Sequence, residues 1–349
     1  MGLTLTHEVL SLPLRDPFRI ARSEHGEGTR ITTVIVELRD DRVPDVVGVG
    51  EGYPSTYYGE TPETMATVMR MLLDAIGEPD LDERGIIAAD HAMERSIRGH
   101  GAARCAVDIA LHDLVGKAVG VPVHVLRGLT TDIPPTDFTI GIDEPSVVAE
   151  RARRAADFPA LKIKVGGPSD LATLQAVREV YAGPIRVDAN TAWTRDDAQR
   201  LLPELMGLGV ELIEQPFPAR AYRDLAWLQE RSTLPIVADE SCVLPEDLEA
   251  LDGVVAGINV KLAKCGGIGP AYRMLDQGRE MGFRTFLGCM EETSIAIAAS
   301  AVVASLADWV DLDGNLLLAA DPFEGLTLAP DKRWQLADRP GLGLTRKPA

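Results

Sequence analysis

Short β-rich runs recur across residues 138–313, most of them followed by a helical pattern, and this alternation constrains the fold more than any other feature. FTIGI (138–142), LKIKV (161–165), IRVDA (185–189), VELIE (210–214), IVADE (236–240), INVKL (258–262), FRTFLG (283–288) and WVDLD (309–313) are the runs. Candidate helices lie at 145–156, 170–181, 194–204, 222–231, 266–281 and 292–306. Parallel strands cannot be joined by a tight turn and need a crossover, usually a helix. Eight such units predict a closed parallel barrel, with an open doubly wound sheet as the structural alternative. No GxGxxG follows a strand and opens a helix, so the usual dinucleotide signature is missing.

The first third of the chain has a different grammar. Residues 3–12, 30–39 and 46–52 have strand character, and 62–76, 82–98 and 101–118 have helical spacing. Three strands followed by helices predict an α+β domain over residues 1–125. The barrel is then expected over 126–320, and a Gly/Pro-containing tail over 321–349 folds back on the first domain.

Charged residues sit at the ends of the barrel runs. Lys162 and Lys164 alternate with Leu161, Ile163 and Val165, which puts both amines on one strand face. Asp188 ends IRVD, Glu214 ends VELIE, Asp239 follows IVA, Lys261 lies in INVK, and Asp311 and Asp313 lie in WVDLD. From Lys164 the successive separations are 24, 26, 25 and 22 residues, each one strand–helix unit long. In a parallel barrel these ends converge at the C-terminal mouth, where active sites are assembled. Asp188, Glu214 and Asp239 supply three hard oxygen ligands, a donor set suited to Mg²⁺, one ion per subunit, with Mn²⁺ able to substitute. Asn190 and Glu240 are placed to orient these ligands or a lysine. Lys164 and Lys261 arrive from opposite sides of the barrel. Two opposed amines can remove a proton at a carbon bearing a carboxylate and return one to the other face, with Lys162 lowering the proton affinity of its neighbour.

Other function classes are disfavoured. Lys plus Arg number 35 against 53 Asp plus Glu, a formal charge of −18, which disfavours a general nucleic-acid binder. The cysteines at 105, 242, 265 and 289 form no CxxC pair, so neither a disulfide framework nor a structural zinc site is indicated. No uncharged apolar run reaches membrane-spanning length, and the start lacks a basic region followed by an apolar one, so a cytoplasmic location is expected. Outer barrel helices commonly pair in symmetric interfaces, so a homo-oligomer is expected as well.

LKIKVG, VDANTAW, IEQP, ADES and NVKLAKCGG, in this order, resemble the barrel motifs of the enolase superfamily, in its muconate-lactonising subgroup. The resemblance implies a modified (β/α)7β TIM barrel with an N-terminal α+β capping domain completed by the C-terminal tail. It implies an essential Mg²⁺ on Asp188, Glu214 and Asp239, Lys164 and Lys261 as the acid/base pair, and Lys162 in an electrostatic role. Lys264 falls in the following turn and is not expected to carry the proton. The chemistry common to that superfamily begins with abstraction of the proton α to a carboxylate, giving an enediolate.

Asp311-Leu312-Asp313 resembles the aspartate pair by which dipeptide epimerases hold the substrate's α-ammonium, and Gly288, Cys289 and Met290 resemble their seventh-strand pocket wall. The expected activity is therefore epimerisation of a dipeptide at the α-carbon of its C-terminal residue. The PFRIAR segment resembles the substrate-closing loop of Ala–Glu epimerases, in which an arginine receives the glutamate side chain. Arg22 ends that segment, but His25 occupies the matching position, with Glu24 and Glu27 beside it. These acids, with Glu291 or Glu292, favour a neutral or basic side chain. Tyr57, Tyr58 and Glu60 are placed to close the site from the capping domain. N-acylamino-acid racemisation, muconate-type cycloisomerisation and a catalytically silent metal-stabilised binding module remain as alternatives.

Overall fold

A computed structural model describes residues 2–23 and 28–348. Strands β1 (Leu3–Pro13), β2 (Arg30–Asp40) and β3 (Gly48–Gly52) form an antiparallel sheet in the order β1-β2-β3. Helices α1 (Pro62–Ile76), α2 (Glu83–Ser96) and α3 (Gly101–Val119) complete the cap. The alternation in GVGEG explains how β3 meets α3. A Cβ on Gly48, Gly50 or Gly52 would lie 2.2, 2.0 or 2.2 Å from the carbonyl oxygens of Ala110, Ala106 and Ala102. Glycine on one strand face thus lets the strand lie directly on a helix presenting alanines at every fourth position. Residues 101–116 of α3 are buried on every side, as expected of a helix between the cap sheet and the barrel.

The barrel strands are β4 (Phe138–Ile140), β5 (Leu161–Lys164), β6 (Ile185–Asp188), β7 (Val210–Glu214), β8 (Ile236–Ala238), β9 (Gly257–Lys261), β10 (Arg284–Gly288) and β11 (Trp309–Asp311). They pair in sequence order, all parallel. A parallel bridge between Thr136 and Val310, with Asp137 N–H on the Val310 carbonyl at 3.0 Å, brings the last strand to the first. This closure decides for the barrel over an open sheet. Helices cover the outside, and the strands are buried on both faces, which explains their apolar character.

The two parts are tied by specific bonds. Glu51 on β3 accepts from the Thr293 N–H and hydroxyl and from the Ala296 N–H, at the start of the helix Ser294–Val303. Near the C-terminus, Gly341 exchanges backbone bonds with Val121 and Val123, Leu342 N–H donates to Asp113, and Arg346 pairs with Glu8 of β1. The helix expected over 292–306 is shorter because Thr293 caps it and the chain tightens to a 3₁₀ turn at Ala304–Leu306. Among the described residues no helix is long and apolar enough to cross a membrane.

Candidate active site

Register aligns the charged groups in two rows at the strand ends. Lys164 lies beside Asp188 and Asp188 beside Glu214; Lys261 lies beside Gly288, and Gly288 beside Asp311. A cavity of about 480 Å³ lies between the barrel mouth and the cap and is lined by Lys162, Lys164, Asp239, Lys261, Asp311 and Asp313, among others. β5 and β9 are the second and sixth of eight strands, so Lys164 and Lys261 stand on opposite sides.

One carboxylate oxygen from each of Asp188, Glu214 and Asp239 lies within 4.8 Å of the others, and all three residues are buried. Lys164 Nζ donates to Asp188 Oδ2 at 2.5 Å, Lys261 Nζ to Asp239 Oδ2 at 2.9 Å, and Lys162 Nζ to Glu214 Oε2 at 3.4 Å. Burial, and next the charge of Asp188, push Glu214 up to about 7. Burial also works against the Asp239 anion, but Lys261 and Lys264 outweigh it and hold its pKa well below the usual range. Burial opposes the Lys261 ammonium, and Asp239 overrides it to raise that pKa. Three converging carboxylates that crowd one another's charge are what a divalent cation relieves, and an all-oxygen donor set fits Mg²⁺.

Asn190 N–H and side-chain amide donate to Asp188 at 2.9 and 3.2 Å, and its amide reaches Glu240 at 3.4 Å. The turn that allows this is costly. Asn190 has φ 42° and the β-branched Thr191 φ 72°, the latter held by its N–H on the Gln215 carbonyl at 2.8 Å. Several supports are not apparent from the sequence. Asn259 donates to Glu214 at 2.8 Å, Gln215 Oε1 accepts the Asp239 and Ser241 N–H groups, and Lys264 donates to Asp239. Asn259 could have been found, because it lies two residues before Lys261 and so shares its strand face. Gln215 and Lys264 lie outside the strands, where alternation gives no direction.

On the far side, Lys162 pairs closely with Asp311, whose other oxygen accepts the Thr139 hydroxyl at 2.9 Å. Burial opposes the Asp311 anion, but Lys162 prevails and lowers its pKa. Asp313 Oδ2 accepts the Thr139 N–H at 2.6 Å, and no lysine or arginine among the described residues pairs with it. Burial and the neighbouring Asp311 raise its pKa well above the usual range.

The remaining expected residues divide. Cys289 and Met290 line the cavity. Gly288 leaves room instead, since a Cβ there would lie 2.7 Å from Asn259 Oδ1 and 3.1 Å from Lys261 Cε. Tyr53 and Tyr58 are the cavity tyrosines, whereas Tyr57 is 44% exposed and carries the Arg22 guanidinium 4.2 Å from its ring centre. Arg22 donates to Glu240 at 2.6 Å and to the Asn190 carbonyl at 2.7 Å, so its charge is already answered within the protein. Glu60 does not face the mouth; it is buried and accepts the Ala102 and Ala103 N–H groups at the start of α3. Glu24, His25 and Glu27 lie outside the described residues.

Comparison with known proteins agrees with this architecture. Residues 4–128 match the family described as mandelate racemase / muconate lactonizing enzyme, N-terminal domain, and residues 147–349 match enolase C-terminal domain-like. The chain is 37% identical over 348 residues to the L-Ala-D/L-Glu epimerase of Bacteroides thetaiotaomicron, covering 99% of this chain and 88% of that protein. It is 36% identical over 346 residues to the L-Lys-D/L-Arg epimerase of Methylococcus capsulatus, covering 95% of each. The dipeptide epimerase of Enterococcus faecalis, solved with Mg and L-Leu-L-Tyr, superposes with a TM-score of 0.90 at 31% identity, over 99% of this chain and 100% of that one. With both parts matched in order, the chain belongs to the mandelate racemase / muconate lactonizing enzyme family of the enolase superfamily.

Proposed function

We propose that the protein is a Mg²⁺-dependent dipeptide epimerase that inverts the α-carbon of the C-terminal residue. The observation that carries this reading is the combination of lysines on opposite barrel strands with a buried carboxyl, Asp313, that has no basic partner among the described residues. A substrate ammonium meets the need of Asp313, and an N-acylated substrate does not. Asp311, already paired with Lys162 and Thr139, helps to orient that ammonium.

In this reading Asp188, Glu214 and Asp239 would hold Mg²⁺, which when bound would supply positive charge that makes a C–H next to a carboxylate more acidic. One of Lys164 Nζ and Lys261 Nζ, as the free amine, takes the α-proton from its side. The other, as the ammonium, delivers a proton to the opposite face. Reversing the roles runs the reaction backwards, so epimers interconvert without net redox change. Cap residues including Phe18, Tyr53 and Tyr58 line the cavity together with the barrel lysines and so reduce the water that can reach a reacting carbon there. Because Glu240 answers Arg22, an acidic C-terminal side chain gains little there, which supports a neutral or basic one.

Proton NMR in D₂O tests the proposal with L,L-dipeptides bearing acidic, neutral and basic C-terminal residues. The expected result is Mg²⁺-dependent loss of one α-proton signal and appearance of the other diastereomer. Lys164→Ala and Lys261→Ala are each expected to abolish interconversion while retaining exchange from one epimer, a different one in each variant. A folded, Mg²⁺-loaded protein that exchanges no dipeptide, or that turns over N-acylamino acids preferentially, overturns it.

A further inference from the structure

Asp188 and Glu214 are the last residues of β6 and β7 and lie in ladder register with their neighbours. Asp239 differs, because β8 ends at Ala238 and its pairing with β9 stops there. A metal ligand one residue beyond its strand is not aligned by the sheet and must be held by other contacts. Gln215 Oε1 takes its N–H at 2.9 Å. Lys264 Nζ donates to its carbonyl at 2.6 Å and to its Oδ1 at 2.6 Å.

We propose that Lys264 is a positioning residue that sorts the two oxygens of Asp239, holding Oδ1 from behind so that Oδ2 is presented to the metal. The proposal rests on the reading that the three acids hold Mg²⁺. Each acid meets one lysine that lines the cavity: Lys164 on Asp188, Lys162 on Glu214 and Lys261 on Asp239 Oδ2. Asp239 alone among them has a second lysine, and that lysine is 2% exposed. Lys264 Nζ also donates to the Asn259 carbonyl at 2.9 Å and the Cys242 carbonyl at 2.8 Å. Four acceptors around three ammonium protons leave no donor or lone pair for a substrate, so this amine is a fixed anchor and not a proton carrier. The anchor also links the middle of β9, through Asn259, to the loop after β8, so the ligand and the strand carrying Lys261 move as one piece. Loss of supports behind metal ligands typically weakens metal affinity about 10- to 100-fold.

The test compares wild type with Lys264→Met, measuring Mg²⁺ binding by calorimetry and α-proton exchange from each epimer across Mg²⁺ concentrations. The expected outcome is a Kd for Mg²⁺ raised on the order of 10- to 100-fold. Exchange from both epimers falls by a common factor at limiting Mg²⁺ and recovers as Mg²⁺ is raised. Unchanged Mg²⁺ affinity with a lowered melting temperature reduces Lys264 to packing and overturns the assignment. Loss of exchange from one epimer at saturating Mg²⁺ makes it a proton carrier and overturns it too. Should Lys264→Met fail to fold, Lys264→Gln, which keeps two donors without the charge, is measured in the same way, and the same results support or overturn the assignment. A wild type that binds no Mg²⁺ overturns the underlying reading and this proposal with it; a wild type that binds Mg²⁺ and a variant that binds it equally well overturn only the role of Lys264.

Discussion

Replacing Glu51 by alanine removes the main polar link between the cap sheet and the helix Ser294–Val303. Glu51 is fully buried and accepts from the Thr33 hydroxyl at 2.8 Å, the Thr293 hydroxyl at 2.6 Å, and the N–H groups of Thr293 and Ala296 at 3.0 and 3.1 Å. The hydroxyls have other contacts, Thr33 with the Gly52 carbonyl at 3.4 Å and Thr293 with the Ile295 N–H at 3.2 Å. The two backbone N–H groups have none among the described residues, and leaving each buried and unpaired costs about 1–3 kcal/mol. An anion at a helix N-terminus contributes about 0.3–1 kcal/mol more. Relief of the crowding between Glu51 and Glu292 offsets part of this, so the net loss should be about 3 kcal/mol. Glu51→Gln keeps one acceptor oxygen but turns an amide toward backbone donors, so about half that loss is expected. Urea unfolding followed by circular dichroism measures both variants, and limited proteolysis reports whether the cap separates first. A loss under about 1 kcal/mol in Glu51→Ala, or equal losses in the two variants, would refute the reasoning that unpaired N–H groups set the cost.

Burial, with Glu51 next in weight, pushes Glu292 up to about 8 from its ordinary 4.5. The folded protein therefore binds the extra proton between these values, so this contribution is complete below 4.5 and is lost as pH rises through 8. Urea midpoints across that range should fall with pH, and Glu292→Gln should flatten the decline. Gly288→Ala, whose Cβ would sit 2.7 Å from Asn259 Oδ1 and 3.1 Å from Lys261 Cε, should displace both side chains and lose on the order of 10- to 100-fold in kcat. An unchanged kcat would show that Lys261 has slack at that position. Gly50→Ala puts a Cβ 2.0 Å from the Ala106 carbonyl oxygen and should lower cap stability by about 1–3 kcal/mol or more, read as a lower melting temperature.

The barrel and its two sets of charged residues were legible in the chain because both depend on regular spacing. A strand–helix unit repeats at nearly constant length, and the residue at or just past the end of each strand reaches the same mouth, so Lys164, Asp188, Glu214, Asp239 and Lys261 could be aligned from spacing alone. Asp311 and Asp313 followed from the same alternation, and the cavity contains both. The approach of β3 to α3 was equally present in GVGEG but could not be recognised there, since a run of glycines does not say which helix will lie on it.

Groups whose direction no local period sets found their places only in the folded protein. Tyr57 and Tyr58 are adjacent in sequence, yet Tyr58 lines the cavity while Tyr57 is exposed and packs on the guanidinium of Arg22, a cavity-lining residue. Arg22 is a loop cation, and its partner Glu240 lies 218 residues away, so its commitment to Glu240 could not be read from its neighbours. Lys261 and Lys264 differ by three positions in one motif; one opens onto the cavity, while the other is enclosed by four oxygens, two of Asp239 and one each of Cys242 in the loop after β8 and Asn259 within β9. Read along the chain alone, periodicity and crossover length were enough for the alternation of strands and helices and for the residue types at the mouth, because both act locally; barrel closure settled the choice against an open sheet. Tertiary structure alone assigned partners to those charges, because pairing a buried ion depends on which distant atoms the closed barrel brings within about 3 Å.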